Sequence, residues 1–182
     1  YYELSSIIRY DKNLRNTLYK YLATFEEYLR VNLFAKYDVA TKEHIYKGCN
    51  GLKKLKSDIQ PKTDNTVSNL YFCFQLELGY TIELFEHINM YNDSTLIDLK
   101  QLKELRNQVM HHNVLVLGQS TNKEQAEENL QTLKKRIALL CKYLPEEYHN
   151  GFQTSIENLN INAKTGQRYI NKLYLENVQW NI

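Results

Sequence analysis

Arg106, Asn107, His111 and His112 stand within one short stretch, Leu105-Arg106-Asn107-Gln108-Val109-Met110-His111-His112-Asn113. These residue types suit phosphoryl chemistry on RNA. An imidazole changes charge near neutral pH, so it can take the proton of a ribose 2′-hydroxyl or give one to a leaving oxygen. A guanidinium stays charged and grips two phosphate oxygens, matching the charge that builds on a phosphorane. The chemistry asks for no metal, and no Asp/Glu/His ligand cluster is read anywhere in the sequence. Neither a metal nor another cofactor is expected.

Spacing constrains that site. Five residues at about 100° each set Arg106 and His111 roughly 140° apart on a regular helix. Two solutions stay open: the helix distorts at 110–113, or two copies of the chain share the site across a two-fold axis. His112 meets the same difficulty. A bland reading also exists, because cations near a helix C-terminus stabilise the negative end of the dipole.

The element that must position these groups is an amphipathic helix with Leu99, Leu102, Leu105 and Val109 inward. Those residues already satisfy packing, so the polar ones are not needed as filler. Asn92, Asp93 and Ser94 read as the preceding turn, and Thr95 with Asp98 has capping-box spacing. Beyond His112, residues 113–118 read either as an extended link or as the helix tail.

Upstream, Leu14, Leu18, Tyr21, Leu22, Phe25, Leu29, Leu33 and Tyr37 recur at steps of three and four, predicting a helix over 11–37. Asp11 reads as its N-cap, and Glu26 precedes Arg30 in the favourable order for an ion pair. Residues 47–64 read as a basic loop with a short helix at 51–58. Lys53, Lys54 and Lys56 there form either a solvated face or a phosphate-tracking patch. Helical periodicity resumes at Val67 and runs to Leu78, with Gly79 as terminator and Thr81 opening the next helix. The cleanest seam is Ala126, Leu130, Leu133, Ile137, Leu140 and Leu144, predicting a helix over 122–144 ended by Pro145. A last pair is expected near 146–160 and 165–178. No run of alternating apolar and polar residues is present, so the expected fold is all-α, a helical bundle in a single domain over 1–182.

Net charge is +2, too small to demand a polyanion and too small to repel one. Cys49, Cys73 and Cys141 are odd in number and widely spaced, which fits neither a zinc site nor a disulfide framework. A reducing cytoplasm is the expected location. No apolar run approaches the ~20 residues that span a bilayer. Fifteen tyrosines suit half-buried boundaries of a helical core. The first residue is Tyr1, and an amino-terminal segment is expected to be missing before it.

Arg106-Asn107 followed by His111 resembles the R-x-x-x-x-H signature of the HEPN superfamily, with a polar residue after the arginine. Together with His112 and Asn113 it looks like the Abi-like, bacterial abortive-infection branch. Met110 stands where many members carry alanine. Tyr10-Asp11-Lys12-Asn13-Leu14-Arg15, continuing to Phe25-Glu26-Glu27-Tyr28-Leu29-Arg30, is similar to that branch's first long helix. Leu78-Gly79-Tyr80-Thr81-Ile82-Glu83-Leu84-Phe85 fits as well. The resemblance spans residues 4–117 and implies a HEPN-like helical bundle and a homodimer whose composite cleft takes Arg and His from both copies. It also implies a metal-independent endoribonuclease leaving 2′,3′-cyclic phosphate ends, in phage defence or as a toxin-like RNase. His111 would be the acid/base, Arg106 the transition-state clamp, Asn107 an orienting group and His112 an auxiliary. The alternative is a non-catalytic RNA-binding module of a ribonucleoprotein, helped by Lys53, Lys54 and Lys56. A protein-interaction scaffold is the third reading.

Overall fold

A computed structural model describes residues 2–36, 74 and 76–165. Five helices lie in that part: α1 (Tyr2–Lys36), α2 (Leu78–His87), α3 (Asp93–Met110), α4 (Lys123–Tyr143) and α5 (Glu146–Thr165). No strand occurs among the described residues, so the fold is all-α as its periodicity demands. The basic segment with Lys53, Lys54 and Lys56, the short helix expected at 51–58, and most of the helices expected at 67–78 and 165–178 lie outside the described residues.

The chain divides into two compact units. One joins Tyr1–Phe25 to Glu104–Ile182; the other is Glu26–Lys103. The first unit is therefore built from both ends of the sequence. Its core holds Leu14, Leu18, Leu22 and Phe25 from α1, Leu105 and Val109 from α3, Leu133, Ile137 and Leu140 from α4, and Phe152 and Ile156 from α5. Tyr21 meets Phe152 edge-on with ring centroids 4.8 Å apart, and its hydroxyl lies 3.1 Å from Ser155 Oγ. The ring is thus buried while its polar tip keeps a partner, the usual condition for burying tyrosine.

The second unit is held by Leu29, Leu33, Leu76, Ile82, Leu84, Phe85, Leu99 and Leu102. Arg30 lies 3.5 Å from Glu26, the expected i, i+4 pair, and also donates to the Leu76 carbonyl at 3.1 Å. The second bond gives the pair a tertiary task that spacing alone does not show.

Several boundaries differ from expectation, each for a local reason. Helix α1 begins at Tyr2, so Asp11 lies inside it and is no N-cap. The break before α2 falls at Leu76–Glu77, where Glu77 is extended, and Gly79 sits in the first turn of α2 instead of ending a helix. A Cβ at Gly79 would stand 3.1 Å from Lys103 Cε, so the small residue admits the lysine stem. Thr81 is buried within α2 and donates back to the Glu77 carbonyl at 3.2 Å. Helix α3 starts at Asp93, two residues ahead of Thr95. Asn92 caps it, its Oδ1 accepting from the Thr95 amide at 2.9 Å and the Ser94 hydroxyl at 2.8 Å.

Helix α4 matches its seam within one residue at each end. Asn122 accepts from the Gln125 amide, and Gln125 Oε1 accepts in return from the Thr121 amide and hydroxyl, all at 2.9 Å. This reciprocal arrangement satisfies amides that an uncapped first turn leaves without partners. Helix α5 passes through residue 160 without a break and is described as far as Thr165. No helix among the described residues is long and apolar enough to cross a membrane.

Candidate functional site

Helix α3 stays regular as far as Met110. The His111 amide still bonds to the Asn107 carbonyl at 3.0 Å, as in the body of a helix. The chain then turns out of the helix at His112, whose φ is +54°. The His112 amide reaches the Val109 carbonyl at 3.2 Å and the Asn113 amide reaches the Gln108 carbonyl at 3.0 Å. These two bonds define a Schellman terminus, in which glycine usually fills the left-handed position. Histidine fills it here, in a region that costs an L-residue roughly 1–2 kcal/mol. Helix α2 ends the same way with Asn89 at φ +50°; asparagine and histidine are both among the residue types enriched in this region.

Tertiary bonds offset the strain at His112. Arg15 Nη1 of α1 donates to the His112 carbonyl at 2.6 Å. The neighbouring Asp11 is 2% exposed, and its Oδ1 accepts from the Leu115 and Val116 amides at 2.7 and 3.0 Å. Asp11 Oδ2 lies 3.3 Å from Arg15 Nε. From α4, Asn129 Nδ2 donates to the carbonyls of the same two residues, at 2.8 and 3.0 Å. Gly118, at φ +58°, allows close approach: a Cβ there would stand 2.8 Å from Asn129 Oδ1. The turn after α3 is thus fastened to α1 through the His112 carbonyl and the Leu115 and Val116 amides, and to α4 through the Leu115 and Val116 carbonyls, and is neither an extended link nor a helix tail.

The four predicted site residues separate into different settings. Val109 is buried, and Arg106, about 60° around the helix from it, is half-buried. Asn107 is half-buried on the next face. His111 is exposed, about 160° from Val109, on the side of α3 away from its buried stripe. The distortion comes at His112, too late to carry His111 around to Arg106. One copy of the chain therefore does not set Arg106 and His111 on one face.

His112 is brought together with other groups. It lines an open cleft of about 250 Å³ with Lys12, Arg15, Asn16 and Tyr19 of α1 and with Val109. Lys12, Asn16, Tyr19 and His112 are exposed, and Arg15 is half-buried beneath them. The sequence reading missed Lys12, Arg15, Asn16 and Tyr19 as site residues. The available signal was helical: positions 8, 12, 15 and 19 share one side of α1, and Ile8 and Tyr19 are each 54% exposed on it.

On another side of α3, Gln108 Oε1 accepts from Arg136 Nη1 of α4 at 3.2 Å. Burial pulls the Arg136 guanidinium below its ordinary value, and the Glu104 carboxylate opposes that pull. Among the described residues no group of three His, Cys, Asp or Glu side chains converges as a metal site.

Comparison with protein-family models, with curated proteins and with solved structures finds no match.

Proposed function

We propose that this chain is an RNA-acting protein of the HEPN type, in its Abi-like branch. Its activity is metal-independent endoribonuclease cleavage, serving phage defence or acting as a toxin-like RNase in the cytoplasm. The observation that carries the reading is the end of α3. Two exposed imidazoles stand there, one held in a strained backbone conformation beside a cleft with basic residues. Strain of this kind persists where surrounding contacts over-determine it, and it clusters at functional sites.

The chemistry follows from the residue types. One imidazole takes the 2′-hydroxyl proton, the 2′-oxygen bonds to phosphorus, and the bond to the 5′-oxygen breaks. The second imidazole, as its cation, protonates that leaving oxygen. The products are a 2′,3′-cyclic phosphate and a 5′-hydroxyl. Arg106 stabilises the phosphorane charge, and Asn107 orients the linkage by hydrogen bonding. Because Arg106 and His111 lie on different sides of α3, the reading requires a homodimer in which one copy's arginine meets the other's histidine.

The test uses single-stranded RNA and excess EDTA. Wild type is expected to cut, and Arg106→Ala or His111→Ala to lose at least about a hundredfold in rate, the contribution of one acid/base or charge-stabilising group. Mixing those two inactive variants is expected to restore activity, since one of the two composite sites is then intact. Cleavage by both variants at the wild-type rate would refute the assignment. A second reading, RNA binding without cleavage, is favoured by the same separation of Arg106 and His111 within one copy. It predicts a salt-sensitive gel shift with intact RNA.

A further inference from the structure

The cleft against α1 holds groups that the Arg106–His111 motif does not use. We propose that it is a subsite for one unpaired nucleotide of single-stranded RNA, with the base stacked on Tyr19 and the adjoining phosphate held by Lys12 and Arg15. This rests on the RNA-acting reading above and adds where the strand runs.

Three features lead to it. The first is size. At about 250 Å³ the cleft is smaller than the ~300 Å³ at which ordinary ligand pockets begin, so it takes one nucleotide and not a dinucleotide. The second is composition. An exposed phenol ring, an amide at Asn16 and the cations Lys12 and Arg15 are the groups that meet a base face, a base edge and a phosphate. The third is preorganisation. Arg15 is held by the bond from its Nη1 to the His112 carbonyl and lies beside the Asp11 carboxylate, its Nε 3.3 Å from Oδ2, so its Nη2 donors meet a phosphate oxygen with little loss of side-chain freedom.

Charge divides the labour. Asp11 balances the charge of Arg15, so Arg15 acts as a directional donor and Lys12 supplies the net attraction. Along α1, Lys12 and Tyr19 are seven residues apart, about 10 Å of helix axis. Val109 supplies an apolar wall, and the exposed His112 borders the cleft on the α3 side. A strand seated here passes directly to the end of α3. A duplex is excluded by chemistry, since its bases are already stacked and present no face to the ring.

The experiment measures binding of a short single-stranded RNA by fluorescence anisotropy across a salt series. Wild type, Lys12→Ala, Tyr19→Ala and Tyr19→Phe are compared, with cleavage followed in parallel. Both substituted side chains are exposed, so the variants are expected to fold, and circular dichroism checks this. Tyr19→Ala is expected to weaken binding roughly tenfold, the loss that one stacked base carries, while Tyr19→Phe stays near wild type. Lys12→Ala is expected to flatten the salt dependence by about 0.7 in log–log slope, one phosphate contact on a single strand. Duplex RNA is expected to show neither the tenfold loss nor the rescue by phenylalanine.

If wild type binds and both alanine variants match it within twofold, the subsite is overturned, while His111-dependent cleavage leaves the nuclease reading standing. If the variants lose binding as expected and no condition yields cleavage, the subsite holds and the catalytic reading falls. If wild type binds no RNA, both fall. An acidic peptide that displaces the RNA with equal dependence on Tyr19 would assign the cleft to peptides and overturn the proposal.

Discussion

Replacing Asp11 by alanine tests the whole fastening of the turn after α3. Two buried amides, of Leu115 and Val116, then lose their shared acceptor, and Arg15 loses its carboxylate at 3.3 Å. Each buried donor left unsatisfied costs ~1–3 kcal/mol. Alanine is the better helix former by up to ~0.7 kcal/mol at a position inside α1, which offsets part of this. The expected net loss is about 3 kcal/mol, a large share of the ~5–15 kcal/mol that stabilises an ordinary protein. Asp11→Asn keeps an oxygen for both amides and loses only the ionic partner of Arg15. It is expected to cost about 1 kcal/mol, less than alanine does, because both amides keep their acceptor. Urea titration followed by circular dichroism gives the stabilities. Amide hydrogen exchange at Leu115 and Val116 gives the local effect, which should exceed that at Ile137 in α4. A loss below about 0.5 kcal/mol in Asp11→Ala, the size of an ordinary surface change, would refute the reasoning. So would unchanged protection of the two amides.

His112→Gly relieves the left-handed strain and is expected to stabilise the fold by about 1 kcal/mol, read as a raised melting temperature. Cleavage should fall in the same protein, because an imidazole leaves the cleft; a gain in stability with unchanged cleavage would remove His112 from the chemistry. Burial raises the Cys141 thiol above its ordinary 9.0, so its thiolate is scarcer than that of an exposed cysteine at any pH near 9. Alkylation of Cys141 at pH 9, followed by peptide mass spectrometry, should therefore be slow in the folded chain and become fast in urea. The same sign makes the Cys141 contribution to stability constant below about pH 9 and lost as pH rises beyond it through the raised folded value.

What the sequence made legible was what local period and local caps decide. The seam from Leu130 to Leu144 specified α4 because its apolar steps alternate four and three, and Asn122 and Pro145 bound it with nearby chemistry. The inward face of α3 was legible for the same reason. Asp11 was misread because aspartate favours N-caps, and nothing nearby shows that its carboxylate serves amides 104 and 105 residues away. Thr95 has the right spacing for a cap, yet Asn92 lies ahead of it and accepts the first free amide instead. Gly79 has the composition of a terminator, yet it stands in the first turn of α2 with the Lys103 stem against it.

The site was half legible. Arg106, Asn107, His111 and His112 stood out as polar groups on a helix whose packing was already complete. The cleft partners Lys12, Arg15, Asn16 and Tyr19 did not, because they lie about a hundred residues upstream. Their exposed row on α1 was readable only beside the buried row of Leu14, Leu18 and Leu22. The left-handed turn at His112 gave no warning at all, since glycine, the usual mark of such a terminus, is absent.

The tie between Asp11 and the amides of Leu115 and Val116 also governs when the cleft comes into being. Closing a loop of that length costs chain entropy before its bonds return anything, so contacts so remote in sequence form late in folding. A growing polypeptide that has not yet extended beyond Asn129 has only the α1 half of the fastening to offer. During synthesis, then, the imidazole of His112 reaches its final station only after the first turns of α4 have emerged.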